Sequence, residues 1–203
     1  MTHDEQSHSG ADTHDTDHQH EDRGHEHGDD DHGHHHHGDD DHHHDHHHAH
    51  DVASLSAAVV TVSTSRTIDD DAAGDAIAAA FDDSGHDVTV RDVVADDFDG
   101  VQSTVDRLVD RDDVDVLVTT GGTGVTPDDV TVEAVGDLFQ KDLPGFGELF
   151  RRRSESEIGT RVVGTRARAG IVQGVPVFCL PGSENAARLG SEEIIVPEAP
   201  HLA

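Results

Sequence analysis

Lysine is almost missing from this sequence, cysteine nearly so, and long apolar runs are absent. Each shortage excludes something. The single cysteine, Cys179, has no partner in the chain for a disulfide, and its place inside the apolar run 175–180 predicts a buried, inert thiol rather than a nucleophile. No stretch approaches the roughly 20 apolar residues that span a bilayer. No charged-then-apolar leader opens the sequence, so a cytoplasmic location is expected. Lys141 is the only lysine among 13 basic residues, against 44 acidic ones, for a formal net charge of −31. So negative a surface repels nucleic acid and anionic membranes, which removes both from the expected partners.

What is present is unevenly spread. Residues 1–51 hold 19 of the 21 histidines and 16 of the 44 acidic residues, with almost no aliphatic side chains. Acidic triplets (Asp29–Asp31, Asp39–Asp41) alternate there with the histidine clusters His34, His35, His36, His37, then His42, His43, His44, then His46, His47, His48. A stretch of this kind buries too little apolar surface to offset the entropy of ordering it, and residues 1–54 are read as a disordered tail. Its imidazoles, flanked by carboxylates, suit Ni²⁺ or Zn²⁺ and suggest metal storage or delivery; a solvating acidic appendage is the plainer alternative. Residues 55–203 are rich in Val, Ala, Leu and Ile and are assigned to one folded domain. That part still carries 28 acidic against 12 basic residues. An acid-rich, lysine-poor composition resembles the proteins of salt-loving archaea, so stability is expected to fall at low ionic strength, where the carboxylates are less screened.

Within 55–203, strands and helices alternate. Residues 57–62 form a short aliphatic, β-branched run and read as a buried strand. Ala73, Ile77, Ala80 and Phe81 share a face at helical spacing over 71–81, with Gly85 as the stop. A second strand is expected over 88–94, and a helix capped by Asp99 carries the stripe Val101, Val105, Leu108 and Val109. The third strand, 114–118, is followed by a loop over 119–129 and a helix with Val132, Val135, Leu138 and Phe139. A Pro-Gly break at 143–145 leads into a helix through Leu149 and Phe150; a last strand, 175–180, precedes Pro181-Gly182-Ser183 and a helix to about Leu189. Strands separated by helices of about ten residues predict parallel βαβ crossovers, hence an α/β, three-layer αβα sandwich with a mostly parallel sheet. Ligands in such sheets bind beyond the carboxyl ends of the strands, which selects the loops after Val62, Val118 and Leu180.

Those loops hold the unusual chemistry. In Thr119-Thr120-Gly121-Gly122-Thr123-Gly124 the glycines permit positive φ and close approach, while hydroxyls and backbone N–H groups near a helix start suit phosphate oxygens. The spacing is neither that of a Walker A loop nor that of a dinucleotide fingerprint. Asp128-Asp129 would repel an anion unless a cation such as Mg²⁺ lay between; the same pair also suits a helix N-terminus without any metal. Ser183 can cap the helix it precedes. In the segment 61–66, Arg66 could meet a phosphate with its guanidinium fork. Arg151–Arg153 read as a solvated helix face that could also reach a neighbouring subunit.

Taken in order, the strand followed by Thr-Thr-Gly-Gly-Thr-Gly, an Asp five residues after the last glycine, Pro-Gly-Phe-Gly-Glu-Leu-Phe-Arg, and Leu-Pro-Gly-Ser resemble the MoaB/MogA family of molybdenum-cofactor biosynthesis. The resemblance runs from about Ala57 to Ile195. It implies a molybdopterin-binding-like domain, a homotrimer or homohexamer, and, in adenylyltransferase members, Mg²⁺- and ATP-dependent adenylylation of molybdopterin with release of pyrophosphate. Other molybdenum-cofactor enzymes are then expected partners. Carried over by motif, Gly121, Gly122, Thr123 and Gly124 would form the nucleotide and pterin-phosphate loop. Asp129 would be the acid tied to Mg²⁺, and Asp96 (or Asp97) a second acid near the reacting phosphates. Ser63 and Arg66 fit Ser-x-x-Arg, Asp71 and Gly74 fit Asp-x-Ser-Gly, and Pro181, Gly182 and Ser183 fit the pterin-contacting turn. Ala73 replaces the serine of Asp-x-Ser-Gly, Asp128 replaces an arginine, and Val132 replaces a proline. The rival expectation is a non-catalytic pterin- or metal-binding module whose working part is the histidine tail.

Overall fold

The computed structural model describes residues 53–203; the histidine-rich segment and the tail residues named above lie outside the described residues. Chain order is β1 (Ser56–Val62), α1 (Ala72–Asp83), β2 (Asp87–Val94), α2 (Phe98–Val109), β3 (Val116–Thr120), α3 (Thr131–Gly136), β4 (Lys141–Asp142), α4 (Pro144–Ile158), β5 (Arg168–Val172), β6 (Val175–Leu180), α5 (Glu184–Gly190) and α6 (Val196–Leu202). The sheet runs β2-β1-β3-β6-β5-β4. β2, β1, β3 and β6 are parallel, while β5 and β4 each pair antiparallel. The fold is the expected α/β sandwich with a mostly parallel sheet, extended by an antiparallel edge.

Alternation along the strands builds two cores. Ala57, Val59, Val116, Val118, Phe178 and Leu180 pack on one face against α1, α4, α5 and α6. Ala58, Val60, Val62, Leu117, Val177 and Cys179 pack on the other against α2 and α3. Because side chains alternate across a strand, a sheet covered on both faces is apolar at nearly every position, which is the pattern of these runs. Cys179 is fully buried, and that burial pushes its thiol up to about 11, in keeping with an inert core residue.

Several boundaries depart from the sequence expectation. α2 is capped by Asp97, whose carboxylate accepts from Gly100 N at 2.8 Å, not by Asp99, which lies in the first turn. Thr119 and Thr120 belong to β3, where they pair respectively with Val60 and Thr61 of β1 and with Cys179 and Leu180 of β6, so the glycine loop begins only at Gly121. Pro144 and Gly145, expected as a break ahead of the helix, already belong to α4, with Pro144 as its first residue, a position that tolerates the missing N–H. β4 and β5 were not expected. A two-residue hairpin at Gln173 (φ 53°) and Gly174 (φ 93°) returns β5 into β6, the left-handed pair that such turns require. Past α5 the helix does not end at Leu189 but continues through a π turn, Ser191–Ile195, into α6. Pro197 and Pro200, lacking N–H groups, sit just beyond that wider turn. Among the described residues no helix is long and apolar enough to cross a membrane.

Candidate functional site

Four parallel strands point their carboxyl ends at one edge of the sheet, and the loops leaving β1, β3 and β6 interlock there. Gly121 is the meeting point. Its N–H donates to Leu180 O at 3.0 Å, its φ is +100°, and a side chain on it would strike the Val62 carbonyl. A side chain on Gly182 would sit 3.0 Å from Gly121 Cα. Thr120 Oγ1 donates to Pro181 O at 3.0 Å. Arg66 Nη1 donates to Gly182 O at 2.9 Å. The turn that brings Arg66 there is shaped by Ser63, whose hydroxyl accepts from the N–H groups of Ser65 and Arg66, both at 3.3 Å. Only residues without side chains let three backbones approach so closely.

The far side of the glycine loop is fixed by a residue that the sequence reading did not single out. Arg166 donates from Nε to Thr123 O (3.2 Å) and from Nη2 to Asp129 O (3.0 Å), and forms an ion pair with Glu133. Thr131 N donates to Gly122 O at 3.0 Å. Nothing local marks Arg166: its role depends on loop residues about 40 positions earlier. The cluster of arginines at 161, 166 and 168, leading into β5, is the one available signal.

Three carboxylates lie by this loop, and two of them differ in character. Asp129 Oδ2 accepts from the Thr126 hydroxyl (2.6 Å) and the Thr126 N–H (2.8 Å). The Thr126 hydroxyl, outweighing partial burial and helped by backbone N–H groups and Arg166, holds the Asp129 carboxyl below the usual range. Asp96 is the opposite. Burial, then repulsion from Asp129 and from Asp128, raises its carboxyl above the usual value. Its Oδ1 is buried without a hydrogen-bond partner, as is Thr131 Oγ1. Both atoms border the space that a side chain on Gly122 (φ +60°) would enter. A side chain on Gly124 would likewise meet the Asp129 carboxylate.

Arg66, Gly121–Gly124, Asp129, Pro181 and Gly182 line one cavity of about 440 Å³, joined by Arg161, Gly164 and Thr165. Ser183 caps α5, accepting from Ala186 N at 3.3 Å, and borders an adjoining hollow of about 270 Å³ with Phe150, Asn185 and Leu189; Thr165 and Pro181 are shared by both. A groove of about 540 Å³ lies on the other side of Asp129, yet its one cation, Arg166, is already engaged. Two guanidinium groups not taken up by a carboxylate, Arg66 and Arg161, lie instead at the cavity of the glycine loop. Asp71 and Gly74 are not brought there. Asp71 is 2% exposed and fully engaged, accepting from Thr61 Oγ1 (2.6 Å), Gly74 N (3.0 Å) and Arg91 Nη2 (3.1 Å), and Gly74 is needed because a side chain would collide with that carboxylate. Both hold α1 to β1, with no group turned toward a ligand.

Among the described residues no three metal-ligating side chains converge. Mg²⁺ does not require them, since it takes one or two carboxylates and fills its remaining positions with phosphate oxygens and water. A charged Asp129 and the unpartnered Asp96 Oδ1 fit that demand.

Comparison with known proteins agrees with this geometry. Residues 58–201 match the family model "Probable molybdopterin binding domain". Molybdenum cofactor biosynthesis protein B of Bacillus anthracis is 42% identical over 145 residues, covering 71% of this chain and 86% of that protein. Its counterpart in Bacillus subtilis (strain 168) is 39% identical over the same length, covering 71% and 85%. A crystal structure of a molybdenum cofactor biosynthesis protein B superposes with TM-score 0.71 at 40% identity, covering 73% of this chain and 93% of that one. The tungsten cofactor synthesizing protein MoaB from Pyrococcus furiosus gives TM-score 0.67 at 37% identity, covering 74% and 96%.

Proposed function

The chain belongs to the MoaB/MogA family of molybdenum cofactor biosynthesis proteins, and on that premise we propose that it adenylylates molybdopterin at the expense of ATP. In the proposed reaction a phosphate oxygen of molybdopterin forms a bond to the α-phosphorus of ATP. The bond from that phosphorus to the bridging oxygen breaks, and pyrophosphate leaves with the electron pair. Phosphoryl chemistry of this type needs little covalent help, so positioning and charge neutralisation are the protein's main contribution.

The observation that carries the reading is the junction at Gly121, which brings the loops after β1, β3 and β6 to one cavity. Arg66, held at Gly182 O, would present its remaining N–H groups to phosphate oxygens. Backbone N–H groups of Gly122 and Thr123 would bind further oxygens, while that of Gly124 supports the Asp129 carboxylate. Asp129 and Asp96 would hold Mg²⁺, which when bound neutralises polyphosphate charge and lets carboxylates stand beside an anion. Asp128, exposed beside Asp129, adds to the charge such an ion must offset. The hollow beside Ser183, floored by Phe150 and Leu189 and edged by Asn185, would seat the flat pterin.

Pyrophosphate release from ATP and molybdopterin, measured on the full-length protein in molar salt, tests this. Wild type should turn over, and Asp129→Asn, which retains the Thr126 hydrogen bonds, should lose on the order of 100-fold in rate. No release by wild type would overturn the adenylyltransferase reading and leave a pterin-holding module.

A further inference from the structure

We infer that Arg161, carried on the exposed strap Gly159–Gly164, is a second polyphosphate-binding guanidinium that folds over the cavity when an anion is bound. Carboxylates outnumber cations more than two to one in the folded part of this chain, so a guanidinium here would ordinarily find an acidic partner. Seven of the eleven described arginines do. Among the described residues Arg66, Arg151, Arg152 and Arg161 form no ion pair, and two of those four, Arg66 and Arg161, line the same cavity. They differ in how they are held. Arg66 is tied to Gly182 O, whereas Arg161 makes no hydrogen bond to any described residue.

The strap itself is built to move. None of its residues is buried, Val163 on it is 87% exposed, and it contributes nothing to either core. It is bounded by Gly159 (φ +57°) and Gly164, around both of which the space within 4 Å of a would-be side chain is empty. Segments that bury no apolar surface open and close at little cost, and lids are drawn from them. Arg161, Gly164 and Thr165, on and just past the strap, already line the cavity, so rotation at the two glycines would bring Arg161 to a bound anion.

The inference rests on the reading of this cavity as a polyphosphate site, and it is tested by binding rather than turnover. Inorganic pyrophosphate with Mg²⁺ is titrated calorimetrically into full-length wild type, Arg161→Gln, Arg161→Lys and Arg152→Gln at one fixed salt concentration. Arg161→Gln should weaken binding about tenfold or more, the loss expected for a charge-assisted hydrogen bond, with partial rescue in Arg161→Lys. Arg152→Gln, the same charge change on the exposed face of α4, should bind as wild type does. Independently, trypsin should cut wild type after Arg161, and pyrophosphate should protect that bond. If Arg161→Gln matches wild type, or the bond stays equally cleavable with ligand, the strap has no such role while the adenylylation assay stands untouched. If wild type binds neither pyrophosphate nor ATP, the strap and the polyphosphate reading fall together.

Discussion

Asp71 and Asp96 occupy similar places, each beside the first turn of a helix, near the carboxyl end of a parallel strand. Their surroundings are opposite. Asp71 is enclosed and every direction is answered, by Thr61, Gly74 and Arg91. Asp96 faces two other carboxylates and keeps a buried oxygen unpartnered. Asp71 is spent on holding α1 to the sheet, while Asp96 keeps a buried oxygen that no described group satisfies, the pattern expected of a site residue rather than a structural one.

The sharpest way to break that contrast is Asp71→Ala. It removes a helix cap and leaves the fully buried Thr61 hydroxyl without its partner, for a loss of about 3 kcal/mol in chemical denaturation. The folded fraction should release pyrophosphate at the wild-type rate; a catalytic defect in well-folded Asp71→Ala would show that Asp71 serves the site after all. Next in size is Gly122→Ala. The residue sits at φ +60°, and the added carbon meets Thr131 Oγ1 and Asp96 Oδ1, so about 2 kcal/mol should be lost together with pyrophosphate binding.

Asp96→Asn should do the reverse of Asp71→Ala: activity falls while stability does not. Asp96 holds its proton more tightly folded than unfolded. Its favourable contribution is therefore present in acid and lost as pH rises through the folded value. Against the non-ionising Asn, wild type should be equally stable near about pH 3 and slightly less stable near about pH 7, by under about 1 kcal/mol because solvent reaches the group. Asp129 carries the opposite sign. Its carboxyl is held low by the Thr126 hydroxyl, so Asp129→Asn should cost stability at neutral pH, and the cost should vanish as pH falls through the folded value. Denaturation midpoints of both variants across pH would reveal a wrong sign in either. The smallest effect is the salt dependence: in about 1 M salt, where the screening length is roughly 3 Å, repulsion of Asp96 by Asp129 and Asp128 is damped and the gain from Asp96→Asn should shrink.

Much of this was legible in the chain. Strands that are apolar or β-branched throughout, such as 57–62 and 175–180, announce a sheet covered on both faces, and the alternating helices announce parallel crossovers. The glycine loop, Arg66 and Asp129 stood out because unusual residues followed such strands. β5 did not. Arg168-Ala-Gly-Ile-Val is strand only because it pairs antiparallel with β6 and because Phe139 packs over Gly170, neither of which leaves a mark in the segment itself. The surroundings of Asp71 are illegible for a related reason: a motif position says that a carboxylate is needed but not which way it faces.

The order of apolar and polar residues determined the layers, the direction of the central strands and the identity of the loops at their ends, because period and helix spacing act over a few residues and need no distant partner. Tertiary structure decided which acids are satisfied, which arginine braces the loop and which stays unpaired, and that three chain segments more than 50 residues apart meet at Gly121. Those outcomes depend on distance between groups remote in sequence, and that distance exists only once the sheet has closed.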